Sequence, residues 1–252
     1  MIEIFFLSVI QGITEFLPIS SSSHLILISE FLNFKNQNLS IDISLHIGSF
    51  LAVIIFFKEE LFNFVKNKVL FFRIIISSLP VMIVGFLLIK SGFINSLRNV
   101  ELIGWSTIFF GIILYISDKF KTTKKIDRNF SLKSALFIGL LQVLSLVPGV
   151  SRSGITITAA RFLNFDRFDA VKISFFLSIP TLAAVSIYGL FKIISSGNVN
   201  FSILNIFSII FSFIFSYLTI KYFLNFVKSF NLNIFIAYRI LLGIIILTFA
   251  YL

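Results

Sequence analysis

No cysteine occurs among the 252 residues, which excludes disulfides, thiolate metal sites and a cysteine nucleophile. Charge is nearly as scarce. Asp, Glu, Lys and Arg make up 13% of the chain, against roughly 25% in soluble domains, so water is not its main solvent. Six stretches, 74–89, 102–117, 134–151, 173–191, 193–220 and 240–252, carry no charged side chain at all. Several approach the roughly 20 residues a helix needs to cross the hydrocarbon layer. Lipid offers backbone N–H and C=O groups no partner, so such spans must be helical. The opening Met1-Ile2-Glu3-Ile4-Phe5-Phe6 lacks the basic region of a cleaved signal peptide, and the mature chain is expected to begin there.

What is present fits that exclusion. Hydrophobic residues make up 58% of the chain, 35 of them Phe, and mean hydropathy is +1.03. The net charge of +10 would suit nucleic acid, but its distribution argues against that. Fifteen of the 21 basic residues fall in four groups between the expected spans: Lys58 to Arg73, Lys119 to Lys133, Arg161 to Lys172, and Lys221 with Lys228. The alternate loops hold four, namely Lys35, Lys90, Arg98 and Lys192. That asymmetry is a positive-inside pattern, which places the basic loops in the cytoplasm and makes the charge a matter of orientation.

The chain also repeats itself. Pro18, Ser21 and Ser23 recur as Pro148, Ser151 and Ser153; residues 31–34 recur at 162–165, and 111–113 at 243–245. Each half, about 1–125 and 126–252 of one membrane domain, holds a polar-interrupted segment followed by three spans. The interrupted segments are 1–33 and 131–165, and the spans lie near 42–57, 71–90, 101–117, 170–191, 201–220 and 233–252. With Lys58 inside, segment 1–33 must enter and leave from the outer side, and 131–165 from the inner side. The expectation is an all-α integral membrane protein with six transmembrane helices and two re-entrant helix pairs. Three crossings per half invert the second half, and an inverted-topology repeat places its site where the broken segments meet near the midplane.

Those segments carry the polar residues. The first runs from Gln11 through Glu15 and Pro18 to Ser20-Ser21-Ser22-Ser23-His24, and the second from Gln142 through Pro148 and Gly149 to Ser151-Arg152-Ser153 and Thr156. In each, an apolar helix stops before a proline, which cannot continue the backbone ladder. Hydroxyl residues then precede a new helix, whose N-terminus attracts anions. Arg152 at bilayer depth is a functional candidate by default, and its planar fork matches two phosphate oxygens; the alternative is an ion pair with Glu15. Gln11 and Glu15 share a helical face. Glu15 suits a general base, a metal ligand or an orienter of His24. His24 suits acid/base work, and Ser21 a nucleophile near it. The residues leave open His24 as nucleophile, or water activated by Glu15 and a metal. His46, with Asp42 four residues earlier inside a span, is read as structural.

These segments resemble the signatures of the undecaprenyl-diphosphatase family, the bacitracin-resistance type of membrane diphosphatase. Gln11-x-x-x-Glu15 is similar to its (Glu/Gln)-x-x-x-Glu motif. Thr14-Glu15-Phe16-Leu17-Pro18-x-Ser20-Ser21 resembles its first polar loop, and Pro148-Gly149-x-Ser151-Arg152-Ser153-x-x-Thr156 its second. The resemblance spans essentially the whole chain, Tyr238-Arg239 included. The chain departs from the pattern at Gln11, the uncharged option, and at Ser22-Ser23, where the family usually has Thr-Gly. The resemblance implies hydrolysis of undecaprenyl diphosphate to the monophosphate and phosphate, which recycles the carrier for peptidoglycan synthesis and confers bacitracin resistance. It also implies a site open to the outer side of the bacterial inner membrane. Ser21, His24 and Glu15 would be catalytic; Arg152, Ser151, Ser153, Thr156, Ser20 and Gln11 would bind substrate. A divalent cation, Mg or Ca, would bridge phosphates and Glu15. The expected partners are a polyprenyl diphosphate and membrane lipids, with no nucleic acid and a homodimer left open. The rival class is a polyprenyl-phosphate flippase using the same anion site.

Overall fold

A computed structural model of the chain describes residues 1–21, 23–25, 27, 38–66, 68–97, 99–195 and 202–252. Ser22, residues 31–34, Lys35 and Arg98, all used in the sequence reading, lie outside the described residues. Among those described there is no strand, only an isolated bridge between Lys124 and Phe165.

The helices are α1 (Ile2–Thr14), α2 (Leu39–Phe56), α3 (Lys58–Lys66), α4 (Lys68–Lys90), α5 (Val100–Asp118), α6 (Ile126–Asn129), α7 (Leu132–Gln142), α8 (Arg152–Phe162), α9 (Arg167–Ser195), α10 (Ile203–Ser229) and α11 (Asn233–Tyr251). Six of these, α2, α4, α5, α9, α10 and α11, are long and apolar enough to cross a membrane. Among the described residues the protein is an all-α membrane protein with six helices able to span the bilayer. Their boundaries follow the expected spans, with one instructive excess. The span expected to end at Ile220 continues to Ser229 as α10. Lys221 was the first charge met, but a charge leaving the hydrocarbon does not break a helix, and a long lysine reaches the interface on its own stem.

Helix starts are capped by short polar side chains. Asn38 accepts from Ile41 N at the head of α2, Asn99 from Glu101 N at α5, and Ser131 from Ser134 N at α7. Ser202 and Asn205 form a reciprocal capping box at α10.

With no hydrophobic driving force between helices in lipid, their seams rely on small residues and hydrogen bonds. The α2–α10 seam shows this. Ser212 Oγ donates to Leu45 O at 2.7 Å, Ser49 and Ser216 bond at 3.0 Å, and Asn205 Nδ2 donates to Ser40 and Ser44. Gly12 lets α1 press on α10, because a Cβ there would lie 2.9 Å from Ser216 N. Behind these seams a continuous core gathers Phe16, Phe57, Phe175, Phe176 and Phe223.

Two arginines hold the architecture in ways the sequence did not signal. Arg161 was grouped with the loop bases, yet it is buried. It donates to Phe165 O, Asp118 O and Phe120 O at 2.6–2.9 Å. Asp118 in turn takes Arg167 at 2.7 and 3.1 Å and Leu232 N at 3.3 Å. This knot joins the ends of α5, α8, α9 and α11. Arg239, fully buried in α11, faces the polar loops described next.

Candidate functional site

Two proline-broken loops form the polar centre. The first follows α1, whose C-cap is Glu15, its N–H bonded to Gln11 O. The chain turns through residues 15–19 and passes Ser20 at φ 72°. Ser21, Ser23, His24, Leu25 and Leu27 are then helical. The second follows α7 through a 3₁₀ turn (Val143–Leu146) and Pro148, then Gly149 at φ 96° and Ser151 at φ 70°, into α8. Positive φ is uncommon for any residue but glycine, so Ser20 and Ser151 mark matching backbone positions, each directly before a helix. The alignment of letters instead sets Ser21 beside Ser151; the shared backbone geometry belongs to Ser20 and Ser151.

Arg239 and Ser153 bind the loops together. Arg239 donates to Pro18 O of the first loop at 3.4 Å, to Gly149 O and Val150 O of the second at 2.8 and 3.0 Å, and to Thr107 O of α5 at 3.2 Å. Loop carbonyls at this depth would otherwise lack partners. Ser153 Oγ donates to Leu17 O across the seam at 2.7 Å, and Ser151 caps α8 by accepting from Gly154 N at 3.1 Å. Ser106 Oγ holds Pro148 O at 2.6 Å.

Glu15 is the hub. Its Oε1 receives Arg152 Nη2 at 2.6 Å; its Oε2 receives Ser21 Oγ at 2.9 Å and Gln11 Nε2 at 3.0 Å. The carboxylate is 8% exposed and the Arg152 side chain 14%. Burying either charge alone at this depth is costly, and each offsets that cost for the other. The ion pair weighed as the bland reading of Arg152 therefore exists, and it brings the two loops into contact. Arg152 Nη1 also donates to Ser174 O at 3.3 Å. Arg152 is also the first residue of α8, and the opening turn of a helix favours anions.

Of the residues named from sequence, the fold thus gathers Gln11, Glu15, Ser21 and Arg152 within direct hydrogen bonds. Ser151 and Ser153 line the seam, 3.1 Å apart, and Ser20 bonds Ser23 at 2.8 Å. His24 is placed differently from the sequence reading. Its Nδ1 meets Ser20 O at 2.7 Å and its Nε2 meets Tyr238 Oη at 2.6 Å, so it turns to α11 rather than to Ser21. A carbonyl can only accept, so Nδ1 carries the hydrogen and Nε2 takes the phenol's. Thr156 is buried within the protein, its hydroxyl shared by Arg152 O, Ser153 O and Ser174 Oγ at 2.8–3.1 Å.

Two partners were missed. Tyr238 had no signal beyond its place in the family motif. His46 was read as structural, yet its Nδ1 lies 3.1 Å from Gln11 Nε2; a contact across 35 residues leaves no trace in local spacing. As for a metal, no three His, Asp or Glu side chains gather among the described residues. Both oxygens of Glu15 already accept hydrogens, one of them from a cation. The donor set does not make a resident cation site.

Comparison with known proteins adds an independent line. A family described as bacitracin resistance protein BacA matches residues 4–245. A protein of Pelagibacter ubique named undecaprenyl-diphosphatase is 47% identical over all of this chain and 98% of its own length. Proteins of the same name from Saccharophagus degradans and Jannaschia sp. are 40% identical over 94% of both chains, and 36% identical over 100% of this chain and 99% of the relative.

Proposed function

The chain belongs to the BacA bacitracin-resistance family, and from that premise we propose that it hydrolyses undecaprenyl diphosphate to undecaprenyl phosphate and inorganic phosphate. This activity recycles the lipid carrier for peptidoglycan synthesis and lowers sensitivity to bacitracin. The observation that carries the reading is the meeting of a serine hydroxyl, a carboxylate and a guanidinium at Glu15, between two loops that each open a helix.

The mechanism follows from those contacts. Ser21 Oγ gives its proton to Glu15 Oε2 and attacks the terminal phosphorus. The bond from that phosphorus to the bridging oxygen breaks, and undecaprenyl phosphate leaves. Glu15 passes that proton to the departing undecaprenyl phosphate, takes one from the water that attacks the phosphoserine, and returns it to Ser21 Oγ as inorganic phosphate leaves. Arg152 and the first N–H groups of α8 stabilise the charge on the transferring phosphoryl group, and fixed donors of this kind usually lower the barrier more than any other single device. Hydroxyls of Ser151 and Ser153 keep this wall polar. His24, hydrogen-bonded to Tyr238, stands by the exposed side, where a leaving phosphate takes up a proton. A Mg or Ca ion would arrive with the diphosphate, which supplies the oxygen ligands, and no step above depends on it.

The loop charges support a site open to the outer side of the inner membrane, with the loops as re-entrant pairs in an inverted repeat of about 1–125 and 126–252. A homodimer in the bilayer belongs to the same proposal and is read by cross-linking in membranes. The flippase alternative gains nothing here, since a carrier needs the arginine and serines but has no use for a serine hydroxyl aimed at a carboxylate. The test is release of inorganic phosphate from a polyprenyl diphosphate by pure protein in detergent. Wild type releases it and Ser21→Ala does not; near-normal turnover by Ser21→Ala would remove Ser21 from the role of nucleophile.

A further inference from the structure

Resting on the diphosphatase reading, the geometry points to His46 as a positioning residue that acts through Gln11 on Glu15. The Gln11 side chain has no exposed surface, and its amide lies between an acid and an imidazole. Nε2 is 3.0 Å from Glu15 Oε2 and 3.1 Å from His46 Nδ1. An amide nitrogen offers two hydrogens and accepts none, so it donates to both. The carboxylate settles which way the amide faces, because the opposite setting would press Oε1 against an anion. His46 Nδ1 must therefore be the nitrogen without a hydrogen, with its proton on Nε2.

The arrangement has a visible cost. Gln11 Oε1 is buried with no hydrogen-bond partner among the described residues. The amide keeps this setting because both of its hydrogens are satisfied. Without the acceptor on His46, an N–H would be orphaned along with Oε1, and a buried amide with two unmet groups turns to relieve them. Its bond to Oε2 turns with it. That oxygen is the one facing Ser21, so the imidazole on α2 holds the aim of the acceptor for the serine proton. His46 touches neither Glu15 nor Ser21 by hydrogen bond, and its part in the reaction passes through Gln11.

Three variants in the phosphate-release assay test this. Leucine at 46 removes the acceptor. Asparagine places Oδ1 near the position of Nδ1 and cannot titrate. His46→Leu is expected to lower kcat about tenfold with KM within about twofold, the pattern of an interaction that matters only after substrate is bound. His46→Asn is expected to restore kcat to within about threefold of wild type, since an accepted hydrogen bond is retained. In a Gln11→Leu background, His46→Leu should cost nothing more, because the two act as one unit. The proposal is overturned if His46→Leu keeps wild-type kcat, if His46→Asn is as impaired as His46→Leu, or if the losses at 11 and 46 multiply. Wild-type protein that released no phosphate would instead overturn the diphosphatase reading, so the two failures are distinguishable.

Discussion

Replacing Glu15 with glutamine separates the chemistry of the carboxylate from its shape. The variant is isosteric. Its amide oxygen settles against Arg152 Nη2, where Oε1 now sits at 2.6 Å, and its NH2 falls where Oε2 accepts from Gln11 and Ser21 at 3.0 and 2.9 Å. Two amide nitrogens would then face each other. Gln11 relieves that by a half turn, presenting the Oε1 that has no partner among the described residues and giving up its bond to His46. The Arg152 guanidinium, 14% exposed, loses its counter-ion, so stability should fall by about 3–5 kcal/mol, the range for a broken buried pair. Catalysis falls for a separate reason, because an amide cannot take the serine proton. Loss of a general base lowers kcat by about 10²–10⁴, or about 2.7–5.4 kcal/mol of barrier. KM should hold or fall, since Arg152 no longer faces a competing carboxylate. The assay is steady-state phosphate release by purified protein, with thermal unfolding as a control for the fold. A Glu15→Gln enzyme within tenfold of wild-type kcat would refute the reasoning and move the base elsewhere.

Two further outcomes follow from contacts outside that hub. Tyr238→Phe keeps the ring parallel to His24, now 5.8 Å away centroid to centroid, and removes only the hydroxyl on Nε2; kcat should fall about two- to tenfold, the worth of one neutral hydrogen bond, and unchanged kcat would mean that His24 needs no such holding. Asp118→Asn weakens the knot on Arg161 and Arg167 at the other end of α5. With Arg167 part-exposed, about 2 kcal/mol is expected from the range for broken buried pairs, an unfolding temperature about 4–8 °C lower, with phosphate release at low temperature unaffected; a loss of kcat without loss of stability would contradict a structural role.

The fold was largely legible in the sequence because hydrocarbon imposes a simple rule. Uncharged runs near 20 residues must be helices, and all six expected spans recur as α2, α4, α5, α9, α10 and α11. The site was legible where local chemistry is unusual: Arg152 at depth, Glu15 in an uncharged setting, hydroxyls after Pro18 and Pro148. Three things were not. The direction of His24 depends on Tyr238, 214 residues away. His46 gains its meaning only when α2 packs on α1. The positive φ shared by Ser20 and Ser151 is a backbone property, while the letters Pro-x-x-Ser set Ser21 beside Ser151. Buried arginines posed a subtler problem: Arg161 reads as one more loop cation until its carbonyl acceptors are assembled around it.

Arg239 carries an implication for biogenesis. Both polar loops precede α11 in the chain, so they are synthesised before it. A chain cut before residue 239 would hold Glu15, Ser21 and Arg152 yet lack the guanidinium that ties Pro18 O to Gly149 O and Val150 O, so the spacing of the two loops is set only once α11 has packed.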